Sequence, residues 1–208
     1  MKHAALGFRM HSGWGVLVAV SSYTNSVELI ERRRVVIADP KIPGANQPYH
    51  FAASLTLSEA QEYLAKSATV SESLACATIE EVVRELEERD YRLLGSAVLW
   101  AAGRPLPPMA NILRAHSLIH AAEGEFFRNA VQRACERLKI SAARIREREL
   151  EEQVNATFGE AASRLRRRIA SLGRAIGPPW TKDHKLATLA AAVILERKGT
   201  GKGNPNRI

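Results

Sequence analysis

Cysteine is nearly absent from the 208 residues, with only Cys76 and Cys135 present. Two thiols cannot form a disulfide framework, so a reducing compartment, the cytoplasm, is expected. No run approaches the ~20 apolar residues that a membrane-spanning helix needs, so no membrane partner is expected. The first residues do not read as a secretory signal, because Arg9 and His11 interrupt their apolar stretch. Internal repeats, heptad arrays and the HExxH zinc pattern are also missing. Nor does the chain have a disordered composition: 46% of residues are hydrophobic and 25% charged, an ordinary globular balance. A chain of this length buries a full core without staples.

What is present in excess is positive charge. Lys and Arg number 30 against 22 Asp and Glu, for a formal charge of +8. That balance suits a nucleic-acid binder, because basic side chains neutralise phosphates and release counterions. It equally suits a protein with surplus arginine on solvated faces. The charge is uneven. Arginine concentrates at Arg32-Arg33-Arg34, around residues 144–148 and in 164–168, whereas residues 80–88 are acidic.

Residues 4–10, 14–20 and 27–38 read as three strands with short links, His11-Ser12-Gly13 marking the first turn. Residues 39–54 form a long loop with Pro40, Pro43, Gly44 and Pro48. Thr56 with Glu59 makes a capping box that opens a helix to about Arg89, with a break expected near Thr69–Ser71. An apolar strand, 93–100, ends at the breaker AAGRPLPP. A long amphipathic helix over 109–139, an edge strand over 140–148, a helix over 150–174 and a final helix over 181–197 follow. Residues 1–198 read as one domain and 199–208 as a disordered tail. The order predicts an α/β fold: a mixed five-stranded sheet, three antiparallel strands and then helical crossovers with parallel pairs.

This order resembles the ribonuclease H-like fold, and in detail the RuvC-type Holliday-junction resolvases. Leu6-Gly7-Phe8-Arg9 followed by Gly13-Trp14-Gly15-Val16 is similar to that family's first hairpin. Gly177-Pro178-Pro179 followed by Leu186-Ala187-Thr188-Leu189-Ala190-Ala191-Ala192 resembles its proline-marked approach to an alanine-rich last helix. The resemblance implies two divalent ions held by clustered carboxylates for phosphodiester cleavage. Three departures count against that chemistry. Arg9 stands where the first acid should be, 93–100 carries no acid, and Asp183 opens the last helix alone. What remains implied is a shared scaffold, catalytically degenerate, that binds DNA or RNA or serves as a scaffold.

A second feature lies in 114–127 (RAHSLIHAAEGEFF). At ~100° per residue, His116, His120 and Glu123 fall within about 60° of one another on the stripe of Ile119 and Phe127, while Arg128 and Glu125 point elsewhere. Two readings stand. One is a divalent-metal or acid–base pocket of His116, His120 and Glu123, with Asp183, His11 or His50 nearby, as in a metal-dependent hydrolase or nuclease. The other is a buried hydrogen-bonded cluster, because unpaired buried polar groups are costly. His116 is placed about two turns into its helix, ~10 Å from the tip.

For nucleic acid, the expected contacts are Arg9, Arg33, Arg104, Arg167 and Trp14. Trp100 and Trp180 are further stacking candidates. Each has a plainer role available in ion pairing or packing. Whether the chain forms a homo-oligomer is left open.

Overall fold

The computed structural model describes residues 2–23, 26–101 and 105–199. Arg104 and residues 200–208 of the expected tail lie outside them.

Near-continuous apolar runs, buried on both faces of the sheet in the first two strands, and the Gly13 turn produce an antiparallel meander of β1 (Lys2–Met10), β2 (Trp14–Tyr23) and β3 (Ser26–Val36). Leu6 pairs with Ala19, and Val16 with Arg34. β4 (Tyr91–Trp100) then runs parallel to β1, and β5 (Ala142–Arg146) parallel to β4, giving the order β3-β2-β1-β4-β5. This is the expected mixed five-stranded α/β sheet, with β5 at one edge.

Period two splits β1 between two cores. Leu6, Phe8 and Met10 join Leu17, Ala19 and Val98 beneath α2 (Leu57–Glu88) and α4 (His116–Arg137). Ala5 joins Val16, Val18, Ala97 and Leu99 on the other face. There α5 (Leu150–Phe158), α6 (Ala162–Ile176) and α7 (Lys182–Gly199) cover the sheet. The last helix lies so close to β1 that a Cβ on Gly7 would collide with the Ala187 carbonyl oxygen. A short helix, α1 (Pro48–Ala52), lies within the proline-rich segment. Tyr49 and Ala52 join a small cluster with Ala60, Leu64 and Phe126.

Several boundaries differ from the sequence reading. The Thr56–Glu59 capping box is present, but α2 runs unbroken through Thr69–Ser71. Ser67 and Ser71 are buried, and the Thr69 hydroxyl donates to the Ala65 carbonyl within the helix. The helix expected over 109–139 is two, α3 (Met109–Ile112) and α4, because Ala115 takes an extended conformation. The helix expected over 150–174 breaks at Gly159, whose φ of 53° suits a residue without Cβ. β5 stops at Arg146, and Glu147–Glu149 is a 3-10 turn. Gly199, assigned to the tail, closes α7. Among the described residues, no helix is long and apolar enough to cross a membrane.

Candidate functional site at the carboxyl edge of the sheet

Ligands of open α/β sheets bind beyond the carboxyl ends of the parallel strands. Here that edge collects the end of β1, the start of β2, the ends of β3, β4 and β5, and the first turn of α7. Its centre is Arg9. The guanidinium donates from Nη1 to Asp183 Oδ1 at 2.5 Å and lies 3.3 Å from Glu147 Oε2 through Nη2. His11 Nε2 completes the network, 2.8 Å from Arg9 Nη1 and 2.9 Å from Asp183 Oδ2. Asp183 is therefore not alone: Glu147, read from sequence as part of a strand, turns onto the same cation. Arg9 Nε is buried without an acceptor among the described residues.

The clustered-carboxylate arrangement for two divalent ions does not fit this geometry. A hard dication needs several free oxygen ligands. Here Asp183 and Glu147 are both engaged by a guanidinium, and β4 supplies no acid.

Beside the network is a cavity of about 220 Å³ lined by Arg9, His11, His120, Glu123, Arg128 and Glu147, among others. Arg128 is a correction to the helical-wheel expectation, in which it pointed away. Helical side chains lean toward the N-terminus, and the residue one turn back is Gly124. A Cβ there would lie 2.6 Å from Arg128 Nη1, so the guanidinium occupies the space a side chain would fill. Burial, and then the like charge of Arg9, push the Arg128 pKa below the usual guanidinium value. The signal was the Gly124-x-x-x-Arg128 spacing.

The trio His116, His120 and Glu123 separates. Glu123 is buried at 2% exposure, whereas His116 and His120 are exposed. His116 is the first residue of α4 rather than two turns inside a helix, because the chain breaks at residues 113–115. Glu123 faces His50 of α1: its Oε1 accepts from the His50 backbone N–H at 3.2 Å and from Nδ1 at 2.8 Å. The rings of His50, His116 and His120 then converge, with centroids 4.4–5.2 Å apart. His116 Nε2 and His120 Nε2 are 3.0 Å apart. The convergent imidazoles are thus three, and Glu123 stands behind one of them. Asp183 and His11 belong to the Arg9 network instead.

The remaining candidates divide by what they touch. Trp14 is half-buried, stacked on His11 with centroids 4.7 Å apart, and Arg34 lies 4.1 Å over its ring. Trp100, at the end of β4, carries Arg144 at 4.3 Å. Arg33 is bound to Glu81 and Glu85 of α2 at 2.8 and 2.7 Å. Arg32 donates to the carbonyls of Ile176, Gly177, Pro178 and Pro179 and so ties the chain between α6 and α7. Trp180 donates to the Ile169 carbonyl and packs on Gly173, a packing role. Arg167 is exposed on α6, on the outer side of the helix from Leu165 and Ile169.

Neither a scan of protein-family models nor a search of curated proteins finds a match to this sequence. Solved structures do match. RuvC of Thermus thermophilus in complex with a Holliday-junction substrate is similar with a TM-score of 0.55 at 12% identity, over 96% of each chain. A second Thermus thermophilus RuvC structure is similar with a TM-score of 0.53 at 13% identity, over 95% of this chain and 96% of that one. The fold is RuvC-like. At such identity the likeness extends to the fold alone, so the site has to be argued from its own side chains.

Proposed function

We propose that this chain is a nucleic-acid-binding protein of the ribonuclease H-like fold that has exchanged the two-ion cleavage site for a fixed ion network. The observation that carries the reading is Arg9. It stands on the central strand at the carboxyl edge and engages both Asp183 and Glu147. A cation there occupies the two carboxylates and repels divalent ions, while the surplus positive charge that a phosphate meets comes from the arginines around it.

The surroundings support binding at this edge. Arg128 faces the cavity beside the network. Trp14 with Arg34 and Trp100 with Arg144 place aromatic surface and positive charge together on either side of it. The exposed guanidinium planes of Arg34 and Arg144, held over these rings, suit stacking by unpaired bases and contact with the backbone, a combination suited to branched or single-stranded substrates. The solved relative with a Holliday junction makes a four-way junction the first ligand to try.

The test is fluorescence anisotropy with labelled four-way junction, single-stranded and duplex DNA. If Arg34, Arg128 and Arg144 each neutralise one phosphate, affinity drops roughly 40-fold between 50 and 200 mM salt. Trp14→Ala and Arg34→Ala weaken binding. Absence of binding to all three ligands at low salt refutes the reading.

A further inference from the structure

We infer that His50, His116 and His120 form a binding site for a single borderline transition dication, zinc in the first instance, with Glu123 as its positioning residue. The inference does not depend on nucleic-acid binding.

Convergence is the first argument. One nitrogen from each of the three rings lies within 4.8 Å of the other two. Around a tetrahedral zinc with Zn–N of about 2.0–2.1 Å, ligand nitrogens stand roughly 3.3 Å apart. The 3.0 Å between His116 Nε2 and His120 Nε2 is close to that spacing. Two neutral imidazole lone pairs cannot face each other at this distance unless a proton or a cation lies between them.

The second argument is independent of the first. A metal-ligating histidine ordinarily gives its other ring N–H to a carboxylate or carbonyl, which fixes the tautomer and the ring plane. His50 does this. Its Nδ1 lies 2.8 Å from Glu123 Oε1, a contact that in the neutral ring puts the proton on Nδ1 and leaves the lone pair on Nε2. The carboxylate is 2% exposed and also accepts the His50 backbone N–H. It thereby fixes the ring and the backbone of α1 at once. A buried acid beneath a solvent-exposed histidine cluster makes little sense as packing alone, and good sense as an orienting partner.

Chemistry narrows the ion. Three neutral nitrogens with no thiolate suit zinc, copper or nickel over magnesium or calcium, which prefer oxygen. Three protein ligands leave a coordination position for water or an oxyanion, and His120 and Glu123 also border the cavity that holds Arg128. The ion would also link α1 to α4, two elements far apart in sequence.

The experiment uses tag-free full-length protein, stripped with chelator, and zinc or cobalt ions as probes. Zinc is titrated in competition with a chromogenic chelator. The expected result is one ion per chain, with His50→Ala, His116→Ala and His120→Ala each weakening it at least tenfold while circular dichroism is unchanged. Glu123→Gln should cost about 10- to 100-fold in affinity at the same stoichiometry and alter the visible absorption of the cobalt form. Should Glu123→Gln not fold, His50→Ala decides, with the exposed variants His116→Ala and His120→Ala beside it. Zinc binding that is absent, or that is undiminished by His50→Ala, overturns the inference: the latter means an ordinary helical pair of histidines. Full affinity in folded Glu123→Gln overturns the positioning role.

Discussion

Replacing Arg9 by Met removes the guanidinium and keeps a stem of similar volume. The variant leaves Asp183 and Glu147 facing the place where the cation was. Its cost follows from burial. Breaking a fully buried pair costs about 3–5 kcal/mol, and losing an exposed one about 0–1 kcal/mol. Arg9 and Asp183 are each 19% exposed and in direct contact, which places this pair between the limits, at about 2 kcal/mol. Glu147 is 36% exposed at 3.3 Å and adds under ~1 kcal/mol. The sum of about 2–3 kcal/mol corresponds to a fall in Tm of roughly 5–10 °C for a chain of this size. Differential scanning fluorimetry, with and without magnesium, reads both consequences. Magnesium should leave the parent protein unchanged and return part of the stability of Arg9→Met, because two carboxylates then lack a cation. A variant melting within a degree of the parent refutes the argument. So does a parent protein that magnesium stabilises.

Four further outcomes are expected. Gly7→Ala should abolish soluble expression or lower Tm severely, since its Cβ meets the Ala187 backbone rather than a movable side chain. Arg33→Ala should lower stability by about 1 kcal/mol through its contacts with Glu81 and Glu85, and leave DNA affinity unchanged. Ellman's reagent at pH 8 should label neither thiol in the folded protein and both after denaturation, because burial pushes Cys135 up to about 11 and raises Cys76. Burial, and then Arg32, lower the His184 pKa below 6.5, while Nδ1 accepts from the Thr181 backbone and sits 2.8 Å from its hydroxyl. The unfolded chain therefore holds the extra proton just below pH 6.5. Stability is fully present above that value and falls on acidification toward the lower folded pKa. Urea midpoints between pH 7 and 5 should drop less in His184→Gln than in the parent.

The sheet was legible because its signals are local. The apolar runs at 4–10 and 14–20, the His11-Ser12-Gly13 turn and the capping box at Thr56 each act within a few residues, and together they mark the first hairpin and the helix that follows the meander. The helix breaks were harder. Ala115 has no capping side chain and no proline beside it, so nothing in the pattern separates α3 from α4, and His116 was set too deep. Gly159 was a visible signal, but a lone glycine in a helical pattern is often tolerated.

The site was half legible for a similar reason. His116, His120 and Glu123 share one helix, so periodicity alone groups them. Their true relation runs through His50, whose position depends on how a proline-rich segment folds across α4, a long-range fact. Arg9 was conspicuous as a departure from the acid that the RuvC resemblance implies, yet its partners Asp183 and Glu147 come from 174 and 138 residues away. Arg33, on a strand of arginines, is open from sequence to either a phosphate contact or an ion pair. Pairing with an acidic helix explains it, and the acidic run near residue 81 was the signal.

The central claim, binding without two-ion cleavage, meets its most direct test in one incubation. End-labelled four-way junction is mixed with the protein in magnesium or manganese and divided between a native and a denaturing gel. The account predicts a retarded band at low salt on the native gel and intact strands on the denaturing gel. Symmetrical strand cuts that require the metal and vanish in Asp183→Asn would contradict it.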